Sequence, residues 1–334
     1  MATITDVAAL AGVSTATVSR AFNGKSTVDP LLAERVFAAA GELDYRPNGL
    51  ARNLRKQVTT VLALIVSDVE NPFFTSVARG MEDTAQTAGY SVVLCNSDDS
   101  ADKERRYLEV ALQERMAGVV ISPTGPVDGV RMLRERRVPV VAVDRPVPGD
   151  VGGTVDEVLV DSRSAAREAT EHLIAQGYER IGCVTGPAGV ATADERLDGY
   201  RDALTAAGRP AAPQHEWHAD YRPAGARDTT RVLLDGPDRP DALLVANSAM
   251  AIGVLEAMNE RGLRPGRDLG LIAFDDAPWT RAVDPPLSVV AQPAYDIGSE
   301  AARLLLTRIA APDGPAASTL FEAHLVTRGS SQRG

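Results

Sequence analysis

At six places along this chain, polar or aromatic side chains that could hold a ligand stand just past apolar runs or within a charged helical stretch. Asn71-Pro72-Phe73-Phe74 follows Val61–Val66, supplying an amide and two rings that could stack on a flat or sugar-like ligand. Asp144-Arg145 follows Val140–Val143, Asn247 follows Leu243–Ala246, Asp275-Asp276 follows Leu271–Phe274, and Gln292 follows Val289–Val290. Arg196 lies in the stretch Asp194-Glu195-Arg196-Leu197-Asp198-Gly199-Tyr200. A carboxylate, an amide and an arginine together suit a ring of hydroxyls, each of which both donates and accepts. Phe74 also reads as a core residue and Asp276 as a helix cap, since both types commonly serve so.

A second constellation lies near the start. Thr5 to Ala11 places Val7, Ala8, Leu10 and Ala11 on a short amphipathic helix that Gly12 stops. Ser14 then caps a second helix, Thr15 to Phe22, with Val18, Ala21 and Phe22 inward and Thr15, Ala16, Ser19, Arg20 and Asn23 on the other face. Asp29-Pro30 starts a third, with Leu32, Val36, Phe37 and Ala40 inward. Three short helices with a tight Gly turn between the first two form a helix-turn-helix, which lays its second helix in the major groove of DNA. Charge agrees by segment: residues 1–57 carry seven basic and five acidic groups, whereas the rest carries 28 basic and 40 acidic. A small cationic head on an acidic body suits a DNA reader attached to a separate sensing domain.

Thr5-Asp6-Val7-Ala8, Ala11-Gly12-Val13-Ser14, Thr17-Val18-Ser19-Arg20, Asn23-Gly24 and Tyr45-Arg46-Pro47-Asn48 resemble the DNA-binding head of the lactose/galactose repressor (LacI/GalR) family. The resemblance implies that Thr15, Ala16 and Arg20 read bases. Arg20 has the strongest independent argument, because a guanidinium forks onto guanine O6 and N7. Ser14, Ser19 and Asn23 suit phosphates. Residues 48–57, Asn-Gly-Leu-Ala-Arg-Asn-Leu-Arg-Lys-Gln, read either as a solvated linker or as the family's hinge helix. In the resembled family the hinge folds on operator DNA, pairs with its twin and wedges a leucine into the minor groove, and the resemblance implies that role for Leu54, with Ala51 beside it.

Beyond Thr59 the pattern alternates. Strand-like runs at Val61–Val66, Ser91–Cys95, Gly118–Ser122, Pro139–Val143, Ile181–Thr185, Ala242–Ala246 and Leu271–Phe274 are separated by helical stretches. These stretches are 73–88, 102–115, 163–176, 194–207, 224–234, 249–261 and 295–310. Such alternation implies parallel sheets covered on both faces, here two α/β lobes with a ligand crevice at their carboxyl edges. This segment resembles the periplasmic-binding-protein type core of the same family, which implies crossings between lobes near Asp161, Val290 and Leu320. The resulting domain expectation is a head at 1–57, one lobe at 58–161 and 291–320, the other at 162–290 and 321–329, and a tail at 330–334. The resemblance also implies that Asn71, Phe73, Phe74, Asp144, Arg196, Asn247, Asp275 and Gln292 line the effector site, and that the effector is a sugar or nucleoside. Asn247-Ser248 stands where the family commonly has Asn-Asp, and the missing carboxylate is expected to weaken the crevice mouth. Ala273-Phe274-Asp275 replaces the family's Gly-Phe/Tyr-Asp. Val190 and Ala191 bring no charge for an anionic effector.

Other chemistries find little support. Gly24-Lys25-Ser26 ends like a phosphate-binding loop, but Ser19 stands where that loop needs its first Gly. His215-Glu216-Trp217-His218 lacks the spacing of a zinc site, and neither a nucleophile elbow nor a dinucleotide fingerprint is present. The expectation is a non-enzymatic regulator without cofactor or metal, acting as a homodimer on a pseudopalindromic operator with a small-molecule effector. No unbroken apolar run exceeds six residues, the start lacks a secretory signal, and Cys95 and Cys183 read as buried reduced thiols, which together point to the cytoplasm. The polar stretch from Arg328 offers no leucine heptads for a tetramer. Two rivals are a transport-type sugar-binding protein and a regulator whose core answers to a protein partner.

Overall fold

The computed structural model describes residues 2–22, 28–45, 59–209 and 211–333, and the chain divides into two compact units between Thr59 and Thr60. In the first unit, α1 (Ile4–Ala11), α2 (Thr15–Phe22) and α3 (Pro30–Glu42) surround Val7, Ala11, Val18, Val36 and Ala40. Thr3 and Asp6 form a reciprocal capping box at α1, so two backbone donors that the first turn leaves orphaned are satisfied. Gly12 ends the helix at φ 65°, and Arg35 Nη2 donates to the Ala11 carbonyl at 2.6 Å, pinning the turn. Phe37, expected inside, is exposed; it meets Phe22 edge-on at 5.3 Å, and the small Ala39 takes the inner position instead. The expected hinge, including Ala51 and Leu54, and Asn23 of the second helix lie outside the described residues.

The second unit contains two six-stranded sheets. The first runs β11-β5-β4-β3-β1-β2, built from β1 (Val61–Val66), β2 (Ser91–Asn96), β3 (Gly118–Ile121), β4 (Val140–Val143), β5 (Asp156–Val160) and β11 (Ser318–Phe321), all parallel. The second runs β12-β10-β9-β8-β6-β7, from β6 (Ile181–Thr185), β7 (Glu216–His218), β8 (Ala242–Val245), β9 (Gly270–Phe274), β10 (Ser288–Ala291) and β12 (His324–Val326). Only β12 runs antiparallel to its neighbour. The first five strands of each lobe thus follow the order 2-1-3-4-5, and a crevice opens where that order reverses, at the carboxyl ends of the strands. Central strands such as β1 are buried on both faces and consist of Val, Leu, Ala and Ile; each buried aliphatic side chain contributes about 1.5–3 kcal/mol.

Helices α4 (Pro72–Thr87), α5 (Ala101–Gln113), α6 (Asp128–Glu135) and α11 (Ala294–Ala310) belong to the first lobe. The second lobe has α7 (Ser162–Ala175), α8 (Ala191–Ala206), α9 (Pro223–Asp235) and α10 (Ser248–Asn259). The chain passes between lobes at Asp161, at Gln292-Pro293 and at Glu322-Ala323. Ser330 and Ser331, which the sequence reading placed in a tail, are fully buried in the second lobe. Ser330 Oγ donates to Leu271 O at 2.6 Å, and Ser331 Oγ lies 2.7 Å from Ser288 Oγ.

Candidate functional site

The turns after β1, β2, β4, β7, β8, β9 and β10, together with the first two turns of the helix after β6, converge on one cleft between the lobes. All eight residues singled out for an effector line it: Asn71, Phe73, Phe74 and Asp144 from the first lobe, Arg196, Asn247 and Asp275 from the second, and Gln292 from a crossing segment. Asn71 is held by its own helix: its Oδ1 caps α4 by accepting from Phe73 N at 3.0 Å. That cap aims Phe73 and Phe74 inward, where they pack edge to face at 5.0 Å. Both rings are nearly buried, so Phe74 is at once core and cleft wall.

The charged groups form a fixed lattice. Asp144 takes φ 66° just past β4 and accepts from Ser122 Oγ at 3.2 Å. Arg145 beside it pairs with Asp99 at 2.8 Å. Burial works against the Arg145 cation, but Asp144 and Asp99 outweigh it and hold the guanidinium above its ordinary range. Arg196 donates from Nη1 to Ala246 O at 2.6 Å and lies over the Phe274 ring at 4.2 Å, a cation–π contact inside the protein. Asp275, at φ 75°, accepts from Gln292 Nε2 at 2.6 Å. Burial pushes its carboxyl upward, against the pull of Arg196. Asn247 caps α10 through Met250 N at 2.7 Å and donates from Nδ2 to Tyr221 O at 3.2 Å. Arg145 Nε, Arg196 Nε and Gln292 Oε1 are buried with no hydrogen-bond partner, so the cleft lining retains two donors and one acceptor for something else.

Two sequence expectations change here. Ser248 is buried and its side chain does not line the cleft, so this position supplies no charged group to the lining. Asp276 turns away from the cleft to pair with Arg281 at 2.5 Å and Arg328 at 2.8 Å. The structure adds Ser67, Asp68, Asp99, Thr192 and Tyr221 to the lining. Tyr221 faces Arg145 across the cleft, the cation 5.8 Å from its ring, and its hydroxyl lies 3.2 Å from Thr192 Oγ1. Among the described residues, no cluster of His, Cys, Asp or Glu could hold a metal ion, and no helix is long and apolar enough to cross a membrane.

On the head, Ser14, Thr15, Ala16 and Arg20 are exposed along the leading face of α2, with Ser19 half-buried behind them. Ser14 Oγ accepts from Thr17 N at 3.1 Å and lies 2.9 Å from Thr17 Oγ1, so this hydroxyl already caps the helix. Arg20 is exposed, in the last turn of α2.

A helix-turn-helix head joined to a two-lobed α/β core with a polar cleft defines a ligand-responsive, DNA-binding regulator. Residues 3–48 match the family model described as bacterial regulatory proteins, lacI family, and residues 170–331 match the periplasmic binding protein-like domain. The chain is 36% identical to the ribose operon repressor of Escherichia coli (strain K12) over 315 residues, covering 93% of this chain and 94% of that one. A solved structure of a protein described as a putative ribose operon repressor from Burkholderia thailandensis shares 38% identity and a TM-score of 0.73, over 80% of this chain and 99% of that chain. The lac repressor dimer bound to operator and the anti-inducer ONPF matches at 27% identity and a TM-score of 0.86, over 99% of each chain. The protein belongs to the LacI family of bacterial transcriptional regulators.

Proposed function

We propose that this chain is a cytoplasmic repressor that binds a pseudopalindromic operator as a homodimer and responds to a monosaccharide of ribose's kind, held by the cleft residues above. The observation that carries the reading is the composition of the cleft. Asp144, Asp275 and Arg196 offer charged partners to hydroxyls, Asn247 and Gln292 flank them, and Phe73, Phe74 and Tyr221 supply apolar faces for the carbons of a ring. The orphaned Arg196 Nε and Gln292 Oε1 call for a ligand that accepts and donates at once, as a sugar hydroxyl does. Relatives at 36–38% identity are named for the ribose operon, which supports a pentose.

Thr15, Ala16 and Arg20 are assigned to base edges, and Ser14 and Ser19 to phosphates. One head contacts too few base pairs to select a site in a genome, so two must act together. Surface pattern supports pairing: Val93 and Leu94 are exposed on edge strand β2, as are Val232 on α9 and Ile252 on α10. Effector that prefers one lobe arrangement shifts the population and changes operator affinity by about 5- to 150-fold.

The test is a thermal-shift and calorimetry panel of pentoses, hexoses and nucleosides, followed by gel shifts on neighbouring promoters with the best binder. D-ribose at a hundredfold its Kd adds about 2.7 kcal/mol of stability. Stabilisation by a nucleoside alone would move the assignment to that class. No response to any compound would favour a core governed by a protein partner.

A further inference from the structure

Among the described residues, every ion pair that joins one lobe of the core to the other belongs to Arg222. This residue stands at the N-cap position of α9 in the second lobe. Its guanidinium reaches Asp68 at 2.7 Å and Asp98 at 2.6 Å, both in the first lobe. The meeting follows from the shared topology. Asp98 lies in the turn after β2 and Arg222 in the turn after β7, which are the second strands of their respective lobes, so the two turns face each other at the cleft mouth. Arg222 does not line the cleft, whereas its neighbour Tyr221, at φ 61°, does.

The three carboxylates on the first lobe's rim define what separation would cost. With Arg222 withdrawn, Asp68, Asp98 and Asp99 are left with Lys103, 3.1 Å from Asp98, and Arg145, 2.8 Å from Asp99. Asp68, whose side chain is 9% exposed with Arg222 in place, then has no paired cation. A pair this shielded from solvent contributes more than an ordinary surface pair. The Asp98 arm is open to solvent and is therefore screened by salt.

We propose that Arg222 is a positioning residue of the cleft: its two ion pairs clasp the lobes shut and set the affinity and residence time of the effector without touching it. The ligand arm of this proposal rests on the sugar reading above, whereas the clasp itself is tested with no ligand present. Spin labels at the exposed Ala101 and Ala224, in a background carrying Cys95→Ser and Cys183→Ala, report lobe separation by electron double resonance. The ligand-free parent should give a short, narrow distance distribution, and Arg222→Ala a longer and broader one. In calorimetry and stopped flow with D-ribose, Arg222→Ala should weaken binding about 5- to 30-fold, mainly through faster dissociation. Asp98→Asn, on an exposed turn, should lose less, and the double variant should be no weaker than Arg222→Ala alone. Raising NaCl from about 50 to 500 mM should weaken the parent and leave Arg222→Ala flat. Unchanged label distances together with unchanged ribose affinity in Arg222→Ala would overturn the clasp. If ribose binds no version while the distances still lengthen in Arg222→Ala, the clasp stands and the choice of sugar falls.

Discussion

The proposed reading gives Arg20 to operator recognition and Asp275 to effector binding, in different physical terms, and each yields a measurement. Arg20 projects from α2 into solvent, so its removal costs the head little stability. A forked contact to guanine contributes about 1–3 kcal/mol of discrimination, and Arg20→Ala should weaken operator binding accordingly and relax preference at one base pair. Quantitative gel shifts on single-base operator variants check this; an equal loss on random duplex would place Arg20 on a phosphate. Asp275 is buried, and its carboxyl sits above its ordinary range because burial disfavours the anion. The sign follows by linkage. Below the ordinary carboxylate range the group is protonated in both states and costs nothing; the penalty grows as pH rises through that range and is complete above the raised folded value. Asp275→Asn should therefore raise the Tm of the ligand-free core at neutral pH, with the gain shrinking as pH falls towards about 4. It should also abolish stabilisation by ribose, because the charged acceptor for a hydroxyl is gone. A Tm series across pH, with and without sugar, reads both effects.

At the scale of elements, close helix contacts make the lobes rigid. Gly80 on α4 and Gly298 on α11 let these helices touch through their backbones: a Cβ on Gly298 would come within 1.9 Å of Val77 O, and one on Gly80 within 2.0 Å of Tyr295 O. Backbone cannot step aside as a flexible side chain can, so Gly298→Ala should destabilise the core by about 1–3 kcal/mol or more, readable in urea denaturation. Much of this architecture was legible in the sequence because it rests on long, strongly patterned segments. Val61–Val66 and the helix after it fit a buried strand and a covering helix, and the first residues past such a strand open onto the crevice. Elements lacking that pattern were missed. β7 has three residues, Glu216-Trp217-His218, with no apolar run, and without it Tyr221 had no strand to follow. β5 opens on two carboxylates, Asp-Glu-Val-Leu-Val, and so lacks a long apolar run although it lies between β11 and β4, and α6 is eight residues rich in charge. Thr192 was hidden for another reason: it reaches the cleft from the first turn of α8, a place that strand ends do not mark.

At the scale of the whole molecule, the acidic body and the exposed apolar positions bear on assembly. Val93 and Leu94 are about two-fifths exposed on an edge strand, which is a template for pairing unless something covers it. An acidic surface keeps copies apart, so a dimer must overcome that repulsion with apolar contact. Leu94→Asp places a further negative charge on each face brought together, and by twofold symmetry the change counts twice in one interface. The variant should sediment as a monomer at concentrations where the parent is a dimer. Its core should still bind sugar, because Leu94 does not line the cleft. Its operator affinity should fall at least about 100-fold, since the second half-site then has to be found by a separate molecule rather than by a tethered one. A monomeric variant with undiminished operator binding would mean that one head suffices, and the twofold reading of the operator would have to be abandoned.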